Sequence, residues 1–296
     1  MMNGQQIDYS DESNNKYVHA IVVRSGSSFY WAMRFLPLPQ RQALFAVYAF
    51  CREIDDVADG KASKIDKIAD LGVWRDEIRL IYEDGHPKTI LGAALYNARR
   101  EFNIERQHLD AVIDGMEMDV HGPIVAPTFA QLDIYCQLVA GSVGHLCMQI
   151  FGDSGRPSIR VINSLSRALQ FTNILRDLYE DALMGRVYLP RELLADCNIS
   201  DYTPLKVVSN PRVPAVCTAM AEIADRNFQE AIEALSACNR RVKKPVRVMI
   251  AVYQRTLWRM RRTEWMGVAH PRRQSLVVKT LIRIEKLAIA LRYGIF

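Results

Sequence analysis

A chain of 296 residues that is 49% hydrophobic and 24% charged carries enough apolar side chain to bury a core, which excludes a disordered or fibrous polymer. Six cysteines without one C-x-x-C spacing exclude a disulfide scaffold and a structural zinc site, and point to reduced thiols and a cytoplasmic compartment. The net charge of +5 is massed at 240–244, 259–262 and 271–286, where basic residues alternate with apolar helical positions. With no zinc-finger, RRM or helix-turn-helix signature beside them, no nucleic-acid partner is expected.

Residues 1–24 open polar and acidic, unlike a signal peptide, and are expected to form a partly flexible N-terminal segment. The serines at 25–28 are placed to cap a short helix reaching Met33, which Pro37 and Pro39 interrupt. Apolar spacing then predicts helices over 40–58, 65–82, 89–102, 105–120, 129–151, 157–181, 213–237, 244–266 and 274–293. The uncharged stretch 134–152 contains Gln137, Ser142, His145 and Gln149, so it reads as a buried helix and not a membrane span. Residues 185–214 carry Pro190, Pro204, Pro211 and Pro214 and read as irregular. The last helix, 274–293, is basic and amphipathic; it either packs on the domain or rests peripherally on an anionic membrane face. Strand alternation is almost absent, so residues 25–296 are expected to be a single all-α domain, a helical bundle.

Two of these helices end in acids. Asp55, Asp56 and Asp59 close the 40–58 helix, and Asp177, Glu180 and Asp181 close the 157–181 helix. Carboxylates at a helix C-terminus oppose its dipole, so each cluster calls for a compensating cation. Tyr48, Arg52, Asp55 and Asp59 share one helical face; Gln170, Asn173, Asp177 and Asp181 share another. Polar stripes of that length on apolar helices are costly to bury alone, so the two are expected to face each other across a wet cavity. Oxygen ligands without histidine or cysteine favour magnesium or manganese, and Arg52 and Arg176 are placed for the anion such an ion would carry, a diphosphate. A di-iron bundle needs two Glu-x-x-His pairs, and only Glu105 with His108 has that spacing. Walker, GxGxxG and GxSxG loops are absent.

The strings YAFCREIDDVAD, YCQLVAGSVG and QFTNILRDLYEDALMGRVYLP, in that order, resemble the signature blocks of the squalene and phytoene synthase family, and the resemblance spans roughly 25–190. Within it, the opening GSSFYWAMRFLPLPQ is most similar to the members found in bacterial hopanoid pathways. The resemblance implies an isoprenoid-synthase-type bundle around a central cavity. It also implies a prenyltransferase that, with magnesium, or manganese in its place, joins two farnesyl diphosphates head to head (1'-1) to give presqualene diphosphate. The positions that match for metal are Asp55, Asp59, Asn173, Asp177 and Asp181. Those for substrate are Ser28, Tyr48, Arg52, Gln170, Asn173 and Arg176, with Tyr48, Arg52, Tyr135 and Arg176 as catalytic groups. No dinucleotide loop is evident, so NADPH is not expected. Coupling of two geranylgeranyl diphosphates, as in a phytoene synthase, or NADPH-dependent squalene formation are the alternatives within the family. A non-catalytic assembly protein of the same fold is the alternative outside it. Phe29, Tyr48, Phe50, Val139, Leu146 and Phe171 are candidates for the apolar lining that keeps water from a prenyl cation.

Overall fold

The computed structural model describes residues 12–25, 30, 33–34, 36–265, 288–289 and 292. The early serine motif, Ser28 and Phe29 included, and nearly all of the basic C-terminal stretch fall outside them. Every regular element among the described residues is helical, apart from a single bridge between Val125 and Val187.

In chain order, α1 spans Glu12–Arg24 and sends Val18 and Val22 into the core, so packing begins before residue 25. Helix α2, Leu38–Asp59, starts two residues before its expected position because Pro39 sits in its first turn, where an N–H would have no partner. Helix α3, Lys64–Arg79, runs into a π turn at Leu80–Asp84, followed by α4, Ile90–Phe102, and α5, Arg106–His121. The stretch expected as one helix over 129–151 is broken: α6, Phe129–Cys136, passes through a π turn at Gln137–Gly141 into α7, Ser142–Phe151. Helix α8, Arg156–Leu183, is the longest.

The region read as irregular, 185–214, contains two short helices, α9, Arg191–Asp196, and α10, Pro204–Ser209. Pro204 occupies the first turn of α10, so this proline begins a helix where it had been read only as a breaker. Helix α11 is Val213–Leu235, and α12 is Arg240–Arg262. The last starts before Pro245 because Asn239 caps it, its side chain accepting from the Arg241 N–H at 3.2 Å.

Helix α8 forms the centre, packed along α11 and against the 137–141 π turn, α7, α10 and α12. Helix α2 packs on α1, α4, α5 and α7. The stretch Phe129–Phe151 is long and apolar enough to cross a membrane by composition, yet Leu132, Cys136, Leu146 and Ile150 lie in the bundle core.

One buried acid organises a corner of this frame. Glu77 on α3 is 4% exposed, and its carboxylate accepts from the N–H groups of Lys88 (2.9 Å) and Thr89 (2.8 Å) and from the Thr89 hydroxyl (2.8 Å). Thr89 in turn caps α4 by accepting from the Gly92 N–H at 2.8 Å. Glu77→Ala strands three donors and is expected to cost about 2–3 kcal/mol. The expected readout is a lower urea midpoint with an unchanged slope.

Candidate active site

The C-terminal turns of α2 and α8 border one polar cavity of about 440 Å³. Tyr48, Arg52, Asp55 and Asp59 from α2 line it together with Gln170, Asn173, Arg176, Asp177 and Asp181 from α8, and Tyr135 from α6 joins them. The structure thus brings both polar stripes to the same space. Ser28 is the one expected site residue outside the described residues; its neighbour in sequence Ser25 accepts a hydrogen bond from the Tyr48 hydroxyl at 2.9 Å.

Arginines hold the rim. Arg52 bridges Asp55 (3.2 Å) and Asp56 (2.6 Å), and Arg176 grips Asp177 through two bonds of 2.7 and 2.5 Å. Such forks fix a guanidinium where an incoming phosphate can exchange for the carboxylate. Negative charge is crowded along both helices. Burial, and then Asp59 one turn further along α2, raise Asp55 to about 6 despite Arg52. Burial, and then Asp177, raise Asp181 to about 7. Both shifts arise first from burial and then from a like charge one turn away on the same helix.

Residues that periodicity did not single out complete the floor: Asp119, Arg186 and Tyr188. Asp119, from α5, accepts from Tyr188 at 2.6 Å and from Tyr135 at 3.1 Å, and the two phenol rings stack with centroids 5.0 Å apart. Arg186 donates to Asp59 at 2.6 Å and lies 3.9 Å from Asp119. A non-helical strap delivers Arg186 and Tyr188. Gly185 turns the chain at φ +80°, the Arg186 N–H bonds back to the Asp181 carbonyl at 2.9 Å, and Val187 pairs its N–H and C=O with Ile124 and Ala126. Both residues stand within the signature string MGRVYLP, the only sequence signal that could have found them.

An apolar chamber of about 240 Å³ adjoins the polar one, and Tyr48, Cys51, Val139, Gln170 and Asn173 border both. Helices α2, α7, α8 and α12 wall it. Of the apolar lining expected from sequence, Tyr48 and Val139 are in place, whereas Phe50, Leu146 and Phe171 are not. Phe50 is fully buried with its ring edge-on to Trp74 at 5.4 Å, and Leu146 and Phe171 point into the helix packing. Phe50 sits two positions after Tyr48, about 200° around the helix, which turns it away.

The donor set suits a divalent cation that prefers oxygen. Asp55, Asp59, Asp177 and Asp181 approach from two helices, and the buried Oδ1 of Asn173 has no hydrogen-bond partner. An orphaned buried carbonyl between such carboxylates is the arrangement a cation would satisfy. No group of three or more His, Cys, Asp or Glu among the described residues is close enough to hold an ion alone. A hard cation held here would complete its shell with water or substrate oxygens.

Comparison with known proteins agrees with this architecture. The chain is 42% identical to the presqualene diphosphate synthase of Rhodopseudomonas palustris, covering 92% of this chain and 95% of that one. It is 34% identical to the phytoene synthase of Mycobacterium tuberculosis, over 94% and 91% of the two chains. A solved dehydrosqualene synthase superimposes with a TM-score of 0.79 at 24% identity, over 95% and 98% of the chains, and shares the all-α isoprenoid-synthase fold. A squalene synthase from Alicyclobacillus acidocaldarius gives 0.76 at 24%, over 88% and 97%. The squalene/phytoene synthase family matches residues 22–280, the span that contains both acid-tipped helices and the strap between α8 and α9, and the chain belongs to that family of prenyltransferase-type enzymes.

Proposed function

We propose that the chain couples two farnesyl diphosphates head to head, forming presqualene diphosphate and releasing diphosphate and a proton, with magnesium at the carboxylates. The observation that carries this reading is the joining of a carboxylate-rimmed polar chamber to an apolar one, a diphosphate site with a prenyl site behind it. Relatives named presqualene diphosphate synthase reach 37–42% identity, above the 34% of the phytoene synthases, which favours the shorter substrate.

Asp55, Asp59, Asn173, Asp177 and Asp181 would hold magnesium, which when bound neutralises the departing diphosphate. Arg52 and Arg176, already fixed at the rim, bind the same anion and orient it. Val139, Cys51 and the tyrosine faces exclude water from the allylic cation left behind. Ring closure sheds a proton. Tyr135 has the carboxylate of Asp119 behind its hydroxyl, whereas the Tyr48 hydroxyl is tied to Ser25, so Tyr135 is the better placed to pass that proton on.

The test is incubation with farnesyl diphosphate and magnesium, with and without NADPH, followed by product identification. Presqualene diphosphate at equal rates in both arms is expected. Squalene only with NADPH would select a reductive enzyme, and a marked preference for geranylgeranyl diphosphate would select a phytoene synthase.

A further inference from the structure

The lining of the apolar chamber changes along the wall that runs from the 137–141 π turn into α7, where it begins with the small side chains Val139, Ala140, Val143 and Gly144. Gly144 lets α7 and α8 touch, since a Cβ there would lie 3.0 Å from Cγ2 of Ile162. Later on the same helix the lining side chains are bulky, Met148 and then Phe151, and Leu44 of α2 lines the same chamber.

Phe151 is the last residue of α7 and stands twelve positions beyond Val139. At 1.5 Å per residue that is about 18 Å from the junction. Its ring is 6% exposed. The helix end that carries it is anchored: Gln40 at the start of α2 donates to the Ile150 carbonyl at 3.2 Å, and Gly152 turns the chain away at φ +76°. A large ring on a fixed helix end, beyond a run of small side chains, blocks any chain that extends that far.

We propose that Phe151 is the end-stop of the prenyl chamber and sets the length of chain accepted, admitting farnesyl and excluding a chain one isoprene unit longer. The inference rests on the proposed prenyl diphosphate chemistry. Phe151 acts on specificity only, about 18 Å from the junction and away from the reacting atoms.

The experiment compares wild type, Phe151→Ala and the milder Phe151→Leu with farnesyl and geranylgeranyl diphosphate. Wild-type product from farnesyl diphosphate reports on the proposed function; the change in substrate ratio reports on Phe151. Phe151→Ala is expected to raise the geranylgeranyl-to-farnesyl ratio of kcat/KM at least tenfold, and Phe151→Leu by a smaller factor in the same direction. A parallel binding readout uses the unreactive farnesyl and geranylgeranyl thiodiphosphates, whose stabilisation of the melting temperature should shift in favour of the longer chain without turnover. Ratios within twofold of wild type in both variants, by turnover and by melting, would overturn the assignment even if the wild type makes presqualene diphosphate. A wild type that melts equally higher with both analogues has no stop at Phe151, whatever its product.

Discussion

Asp55→Ala and Asp177→Ala are each expected to lower kcat/KM for farnesyl diphosphate by about a hundredfold to a thousandfold, the scale of removing one preorganised electrostatic contact to a leaving anion. The fold should survive both changes. Asp55 lies in the closing turns of α2 against its dipole, Asp177 is crowded by Asp181 one turn on, and Arg52 retains Asp56 at 2.6 Å when Asp55 is gone. Far-ultraviolet circular dichroism and the melting temperature at pH 8 are therefore expected to match the wild type or exceed it. Near-native turnover in either variant would return that acidic cluster to a solvated helix end.

Chelation is expected to have an equally large effect: EDTA should abolish turnover, and excess magnesium or manganese should restore it. Full activity in chelator would refute the cation site. Its pH dependence follows from the crowding. Asp55 at about 6 and Asp181 at about 7 lie above ordinary carboxylates, so the folded chain holds their protons more tightly than an unfolded one. Their contribution to stability is present at low pH and is lost as pH rises through those values. Cation binding runs the opposite way, because the ion must displace those protons. The magnesium concentration for half-maximal activity should therefore rise as pH falls from 8 to 5.5, by up to about tenfold per unit for each proton displaced. Asp181→Asn, which cannot titrate, should flatten that slope.

The two acidic stripes are legible in the sequence because a helix repeats every 3.6 residues and its side chains keep that register. Tyr48, Arg52, Asp55 and Asp59 had to share a face, as did Gln170, Asn173, Asp177 and Asp181, and all eight line the polar cavity. The same rule says nothing about which neighbour an apolar face meets. Phe50, Leu146 and Phe171 were plausible lining residues on hydrophobicity alone, yet they pack into the bundle. Pro204 departs from its expectation for a related reason, since a proline ends a helix from the interior but is tolerated early in one.

The sequence by itself determined the helical class, the family and the two carboxylate faces, because each is written in local periodicity or in contiguous strings. Only the tertiary structure decided the floor of the polar chamber and which side chains line the apolar one. Asp119 meets Tyr188 across 69 positions through a strap held by the pairing of Val187 with Ile124 and Ala126. Leu44, Phe151 and Ile162 converge from three helices that no spacing relates. Such contacts depend on how whole helices cross and pack, a property of the assembled core that no single segment encodes.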